Sequence, residues 1–174
     1  RREYQLKQIR NDLNYKLIRG NVDTRIKKLN DGLYDAIILS KAGIDSLNLI
    51  NYVTEEFLVE DIIPSAGQGI IAVQCRKNDY EMIDFLKKIN HDETRICALA
   101  EREVLKTLEG DCETPVGVFS FIKEKKINLI AELFSIDGKE RYYFKDSKEL
   151  HLAKDLGKHV GEILKKNSKG KYKR

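Results

Sequence analysis

No apolar stretch in the 174 residues approaches the length of a bilayer span, so the chain is not expected to insert in a membrane. Cysteine is scarce and odd in number: Cys75, Cys97 and Cys112 follow no regular spacing. That argues against a disulfide framework and for a reducing compartment. The three histidines, His91, His151 and His159, stand at no ligand spacing to the cysteines, so no metal site is expected. There is no internal repeat, and the one biased segment is the lysine-rich end. Two prolines, Pro64 and Pro115, are the only ones in the chain, and both fall at breaks between elements.

What is present suffices for a core. Hydrophobic residues make up 41% of the chain, enough for one domain or two small ones. Charge is high but mixed, with Lys plus Arg 32 against Asp plus Glu 28. Six of the basic residues lie between Lys165 and Arg174, where there is no acid, so the body without that end is slightly acidic. The basic end reads as a solvated, disordered tail over 166–174, and no nucleic-acid partner is expected.

Two parts follow from the patterning. Residues 1–63 alternate helix and strand: a helix from Arg1, a strand at 15–18, a helix over 22–29 and a buried-type strand at 36–39. This reads as an α/β layer with parallel pairing. Pro64 and the Gly67-Gln68-Gly69 turn interrupt it, and residues 64–90 form a hinge, a strand over 70–75 and a linking helix over 80–89. Two glycines without a third and without a following helix do not make a nucleotide fingerprint. The part over 91–165 reads as a small α+β domain. Its first helix has Asn90 and Glu93 at capping-box spacing, the stripe Ile96, Leu99, Ala100, Val104 and Leu108, and Gly110 as a stop. Two alternating strands follow, turned at Asp137-Gly138. A last helix over 150–165 carries Leu152, Leu156, Val160 and Ile163 as its buried stripe, with Gly157 and Gly161 allowing close packing.

Between the helix ending at Leu108 and the strand from Val116 lies the loop Glu109-Gly110-Asp111-Cys112-Glu113-Thr114-Pro115-Val116-Gly117. Its cysteine is framed by tight-turn chemistry and placed for reaction. Preceded by Glu93-Thr94-Arg95 and Ala100-Glu101-Arg102, this loop resembles the cofactor-attachment loop of the porphobilinogen deaminase (hydroxymethylbilane synthase) family. Four further segments resemble that family in the same order: Arg1-Arg2-x-x-Gln5-Leu6, Arg19-Gly20-Asn21-Val22-x-Thr24-Arg25, Tyr34 to Leu39 with Ala42-Gly43, and Pro64-x-x-Gly67-Gln68-Gly69 on to Cys75-Arg76.

The resemblance implies a partial doubly wound, periplasmic-binding-protein-like sheet domain, followed by an α+β domain with a three-stranded antiparallel sheet. It also implies a transferase that joins four porphobilinogen units head to tail, with loss of ammonia, to hydroxymethylbilane in tetrapyrrole biosynthesis. Cys112 would hold a dipyrromethane cofactor through a thioether. Arg1, Arg2, Arg19 and Arg25 match carboxylate-binding positions, and Asn21 and Gln68 are further candidate contacts. Guanidinium suits that task, because its planar fork can bind both carboxylate oxygens.

Partners implied are porphobilinogen, its linear oligomers and an N-terminal domain expected to be missing from this sequence, in a family usually monomeric. The general acid–base aspartate belongs to that domain. The compartment implied is cytoplasmic, or a plastid-like organelle. Two departures stand out: Asp111 replaces a common glycine, in a turn that would require the left-handed conformation, and Ser46 replaces a basic residue found in some members. The alternative reading is a non-catalytic anion-binding fragment without cofactor.

Overall fold

The structure is a computed structural model that describes residues 1–111 and 113–173. The chain order is α1 (Arg2–Ile9), α2 (Val22–Asn30), α3 (Lys41–Ser46), a 3-10 turn (Ile50–Tyr52), α4 (Tyr80–Lys87), α5 (Asp92–Leu108), β1 (Val116–Lys123), β2 (Lys126–Phe134), β3 (Arg141–Glu149), a 3-10 turn (Leu150–Leu152) and α6 (Ala153–Ser168).

The three strands form one antiparallel sheet in the order β1-β2-β3. Val116 opposes Leu133 and Lys123 opposes Lys126, while Lys126 opposes Glu149 and Phe134 opposes Arg141. Alternation then assigns the two faces. Val116, Val118, Ile127, Leu129, Ala131 and Leu133 face α5 and α6, closing a core with Ala100, Val104, Leu108, Leu156, Val160 and Leu164. The opposite face carries Phe119, Glu132 and Phe134, and it receives α1 and Ile63. The Tyr4 ring lies 5.7 Å from that of Phe134, and a Cβ on Gly117 would meet Ile63. β2 is therefore covered on both sides, which explains why it is buried almost throughout.

The α5–α6 contact depends on the two expected glycines. A methyl on Gly157 would strike the Ala100 carbonyl, and one on Gly161 would lie 2.7 Å from Thr107 Cβ. No other residue type lets the two backbones approach this closely.

Several expectations are corrected. The doubly wound sheet over 1–63 is absent among the described residues: 15–18, 36–39 and 70–75 form no strand and pair with nothing in a ladder. A parallel strand needs a neighbour delivered by a crossover, and these segments meet none, so Leu17 and Ile71 stay 76% and 91% exposed. Before residue 100, Ile26, Ile44 and Ile63 are the buried apolar side chains among the described residues.

The N-cap of α5 is His91, whose Nδ1 accepts from Thr94 N at 3.3 Å, rather than Asn90. The left-handed residue ending α5 is Glu109 (φ 52°), not Gly110 or Asp111. The basic end is not a solvated tail either. Helix α6 continues to Ser168, and Tyr172 is buried at 3% exposure with its hydroxyl donating to Leu108 O at 2.9 Å. An aromatic ring among lysines was enough to seat that segment in the core.

Candidate functional site

Local chemistry shapes the start of α2 into a cationic corner. Gly20 takes φ 123°, a left-handed value open to glycine, and the chain turns there into the helix. Asn21 Oδ1 then accepts from Thr24 N at 2.9 Å and Thr24 Oγ1 at 2.6 Å, satisfying one of the first-turn amides. Arg25 Nε donates to Gly20 O at 2.8 Å and Lys28 Nζ to Arg19 O at 3.0 Å, so the loop closes on its own helix.

From α1, Arg2 reaches the same corner. Its Nη1 donates to Ile38 O at 3.1 Å. Burial lowers the Arg2 pKa from its ordinary value, and repulsion from Arg25 lowers it further, with no carboxylate among the opposing influences. Two guanidinium groups thus stand within electrostatic reach of each other, near the start of a helix whose dipole adds positive potential. The Arg19 guanidinium meets no acid among the described residues, and Arg25 keeps its terminal nitrogens clear of protein acceptors there. Such a donor set fits an anionic ligand bearing carboxylates.

Arg1 and Gln68 belong to a neighbouring cluster that joins the two parts of the chain. Arg1 Nη1 and Gln5 Nε2 both donate to Ile63 O, the latter at 2.9 Å. Arg1 Nη2 donates to Ser65 Oγ and to Gln68 Oε1, each at 3.3 Å. Desolvation pulls the Arg1 pKa down to about 10, with repulsion from Arg2 adding to it and attraction to Glu132 opposing it. It remains cationic at neutral pH. On the other side of the joint, Val118 N donates to Pro64 O at 2.8 Å. Gly67 N donates to Glu101 Oε2 at 2.7 Å.

Glu101 was not foreseen as more than part of a motif. Only 4% exposed, it also accepts from Ser120 N and Ser120 Oγ, both at 2.9 Å. Burial raises its pKa, while these three donors hold it down in part. A carboxylate next to Ala100 on the buried stripe of an amphipathic helix was the available signal. Above it, Pro64, Gln68, His91, Cys97, Glu101 and Ser120 line a shallow cleft of about 230 Å³.

Cys112 itself lies outside the described residues. Asp111 Oδ1 accepts from Glu113 N at 2.8 Å and Thr114 N at 3.1 Å, and Thr114 Oγ1 accepts from Asp111 N at 2.9 Å. The Glu113 amide first, then the Thr114 hydroxyl, which also donates to Asp111 Oδ1, hold the Asp111 carboxyl below its ordinary range. Asp111 therefore serves the turn through its side chain, in place of the backbone freedom that a glycine would bring. Ser46 Oγ donates to Ala42 O at 2.7 Å within α3.

Of the candidate residues, the structure hydrogen-bonds Arg1 to Gln68, sets Arg2 within electrostatic reach of Arg25, and gives Asn21 a capping role. Fold and site define a class: an arginine-bearing helical segment joined through a hydrogen-bonded hinge to a compact α+β unit.

Two family models match this chain. One, described as porphobilinogen deaminase, dipyromethane cofactor binding domain, covers residues 1–84, and the other, porphobilinogen deaminase, C-terminal domain, covers 95–166. A porphobilinogen deaminase of Coxiella burnetii is 45% identical over 139 residues, which are 80% of this chain and 45% of that protein. One from Exiguobacterium sibiricum is 42% identical over 142 residues, and one from Desulforamulus reducens is 37% identical over 164 residues, 94% of this chain and 53% of the relative. The chain belongs to the porphobilinogen deaminase family. It spans about half the length of the curated relatives it matches.

Proposed function

We propose that this chain is the cofactor-anchoring and carboxylate-holding part of a porphobilinogen deaminase, a transferase that condenses four porphobilinogen units to hydroxymethylbilane with release of ammonia. The observation that carries this reading is the set of guanidinium groups at the start of α2: Arg25 is anchored through its Nε on Gly20 O, Arg2 through its Nη1 on Ile38 O, and neither makes an ion pair among the described residues. When bound through Cys112, a dipyrromethane supplies the primer on which the tetrapyrrole is assembled.

The chain's own residues do the holding. Arg2, Arg19 and Arg25 bind acetate and propionate groups, aided by the start of α2. Arg1 keeps Gln68 in place, leaving the Gln68 amide nitrogen to donate to a pyrrole carboxylate. A thiol suits the anchor, because its thiolate is a strong nucleophile and the bond it forms is durable. Residues 1–63, 64–90, 91–165 and 166–174 act as carboxylate-binding part, hinge, cysteine-bearing domain and C-terminal end. The general acid–base aspartate lies in the N-terminal domain of the complete enzyme, so the 174-residue chain alone does not turn over. General acid–base assistance is typically worth about two to four decades in rate.

Intact-mass measurement tests the reading. After incubation with porphobilinogen and the separately expressed N-terminal domain, the chain should gain the mass of two condensed units and give pyrrole colour with an aldehyde reagent. Cys112→Ser should gain neither. A bare mass in the wild type, or colour retained in Cys112→Ser, would reject the assignment, and a bare wild type would favour the non-catalytic fragment.

A further inference from the structure

We propose that the C-terminal segment 169–173 is a clasp that positions the cysteine-bearing loop, with Tyr172 and Lys173 as its positioning residues. Its functional meaning rests on the reading of Cys112 as the attachment point.

The path of the chain makes the clasp. After α6, Lys169 (φ 49°) and Gly170 (φ 79°) reverse the direction of the backbone. The reversed segment is pinned by Lys171 N to Ser168 O at 2.9 Å, Lys173 N to Gly170 O at 3.0 Å and Ile136 N to Lys171 O at 2.9 Å. An ion pair from Lys171 to Glu140 fastens it on the β3 side. Tyr172 then enters the main core, and its hydroxyl donates to the carbonyl of Leu108, the last residue of α5. That carbonyl is one of those a helix end leaves without an intrahelical donor.

The next residue carries the second grip. Glu109 sits in the left-handed region, unfavourable for a residue with a side chain. Its carboxylate is paired with Lys165 at 3.1 Å and with Lys173. Gly110 N closes the turn onto Leu105 O at 2.9 Å. A strained conformation persists where its surroundings over-determine it, and here the surroundings come from the far end of the chain. Exposed ion pairs alone hold little; the buried Tyr172 ring is what keeps Lys173 in reach. Leu108 and Glu109 lie four and three residues before Cys112, so the clasp fixes where the loop leaves the helix.

The test uses the 174-residue chain, iodoacetamide as probe and peptide masses as readout. Tyr172→Phe removes the hydroxyl and keeps the ring; Lys173→Met removes the cation and keeps the stem; Lys173→Arg keeps the charge. The Cys112 alkylation rate should change by about threefold in Tyr172→Phe and Lys173→Met, the size that a single hydrogen bond or exposed ion pair supports. The Cys97 rate should stay unchanged, and Lys173→Arg should match the wild type. An unchanged Cys112 rate overturns the clasp. So does a Cys112 rate that moves only in step with Cys97 and the thermal midpoint, since that is plain destabilisation. A wild type that takes up no pyrrole rejects the attachment reading instead, and alkylation still judges the clasp.

Discussion

The Glu101 carboxylate accepts the backbone N–H of Gly67 at 2.7 Å, so a helix of the C-terminal unit grips the loop that leads out of the first half. The same carboxylate holds Ser120 on β1. Glu101→Ala strands two backbone amides and a hydroxyl, and it should lower unfolding free energy by about 2–3 kcal/mol. Glu101→Gln, which keeps an acceptor, should lose less. Urea denaturation of the three proteins gives the order directly; equal midpoints would show that the grip contributes nothing.

Acidity should shift that balance in a defined direction. Burial raises the folded-state pKa of Glu101 above 4.5, so its folded form binds a proton more tightly than its unfolded form. Its linked stability is fully present below that ordinary value and is lost as pH rises through the folded value. Glu132, raised by burial against the pull of Arg141 and Arg1, acts in the same sense. The wild type should therefore gain on Glu101→Gln as pH falls from neutral toward about 4.5. Thermal midpoints across that range check it, and a gap that narrows would reverse the sign.

Gly157→Ala and Gly161→Ala should rank in that order. The first methyl meets a backbone carbonyl that cannot move without the helix, whereas the second meets the Thr107 side chain. Overpacking predicts losses of about 2–3 and about 1–2 kcal/mol. Chemical denaturation measures both, and a neutral Gly157→Ala would mean that α5 and α6 separate freely.

Arg19→Leu and Arg25→Leu should leave folding nearly intact, with changes within about 0.5 kcal/mol. Cofactor loading should fall by roughly one to two decades, the loss expected for a charge-assisted hydrogen bond. Arg1→Leu should behave oppositely and lower stability, because Arg1 is committed to Ile63, Ser65 and Gln68. Loading kinetics beside thermal melts would separate the two groups, and loss of folding in Arg19→Leu would remove it from the site.

The second half was legible because its signals are local. Val116 to Phe121 alternate, Leu156 and Val160 repeat at helical spacing, and Gly157 and Gly161 lie where the helices touch. Turn details were less so: the left-handed position fell to Glu109, in a turn surrounded by residues distant in sequence, Lys165, Tyr172 and Lys173. Tyr172 was hidden by the charge around it. In the first half, the pattern at Ala36 to Leu39 is that of a buried strand, but periodicity names a preference and not a neighbour. The arginines were found as a motif; that Arg2 reaches Ile38 O while Arg1 serves the hinge is tertiary information.

The β1-β2-β3 meander joins each strand to its sequence neighbour, and the helices flanking it, α5 and α6, pack against one another. The strand pairings close short loops, whereas the α5–α6 contact spans the whole meander, so residues 92–173 should assemble as one cooperative unit distinct from what precedes them. Hydrogen exchange should read this as a step near residue 90. Amides of β2 and α6 would exchange only through global opening, while those of 15–18 and 70–75, which belong to no helix or ladder, would be replaced by deuterium first.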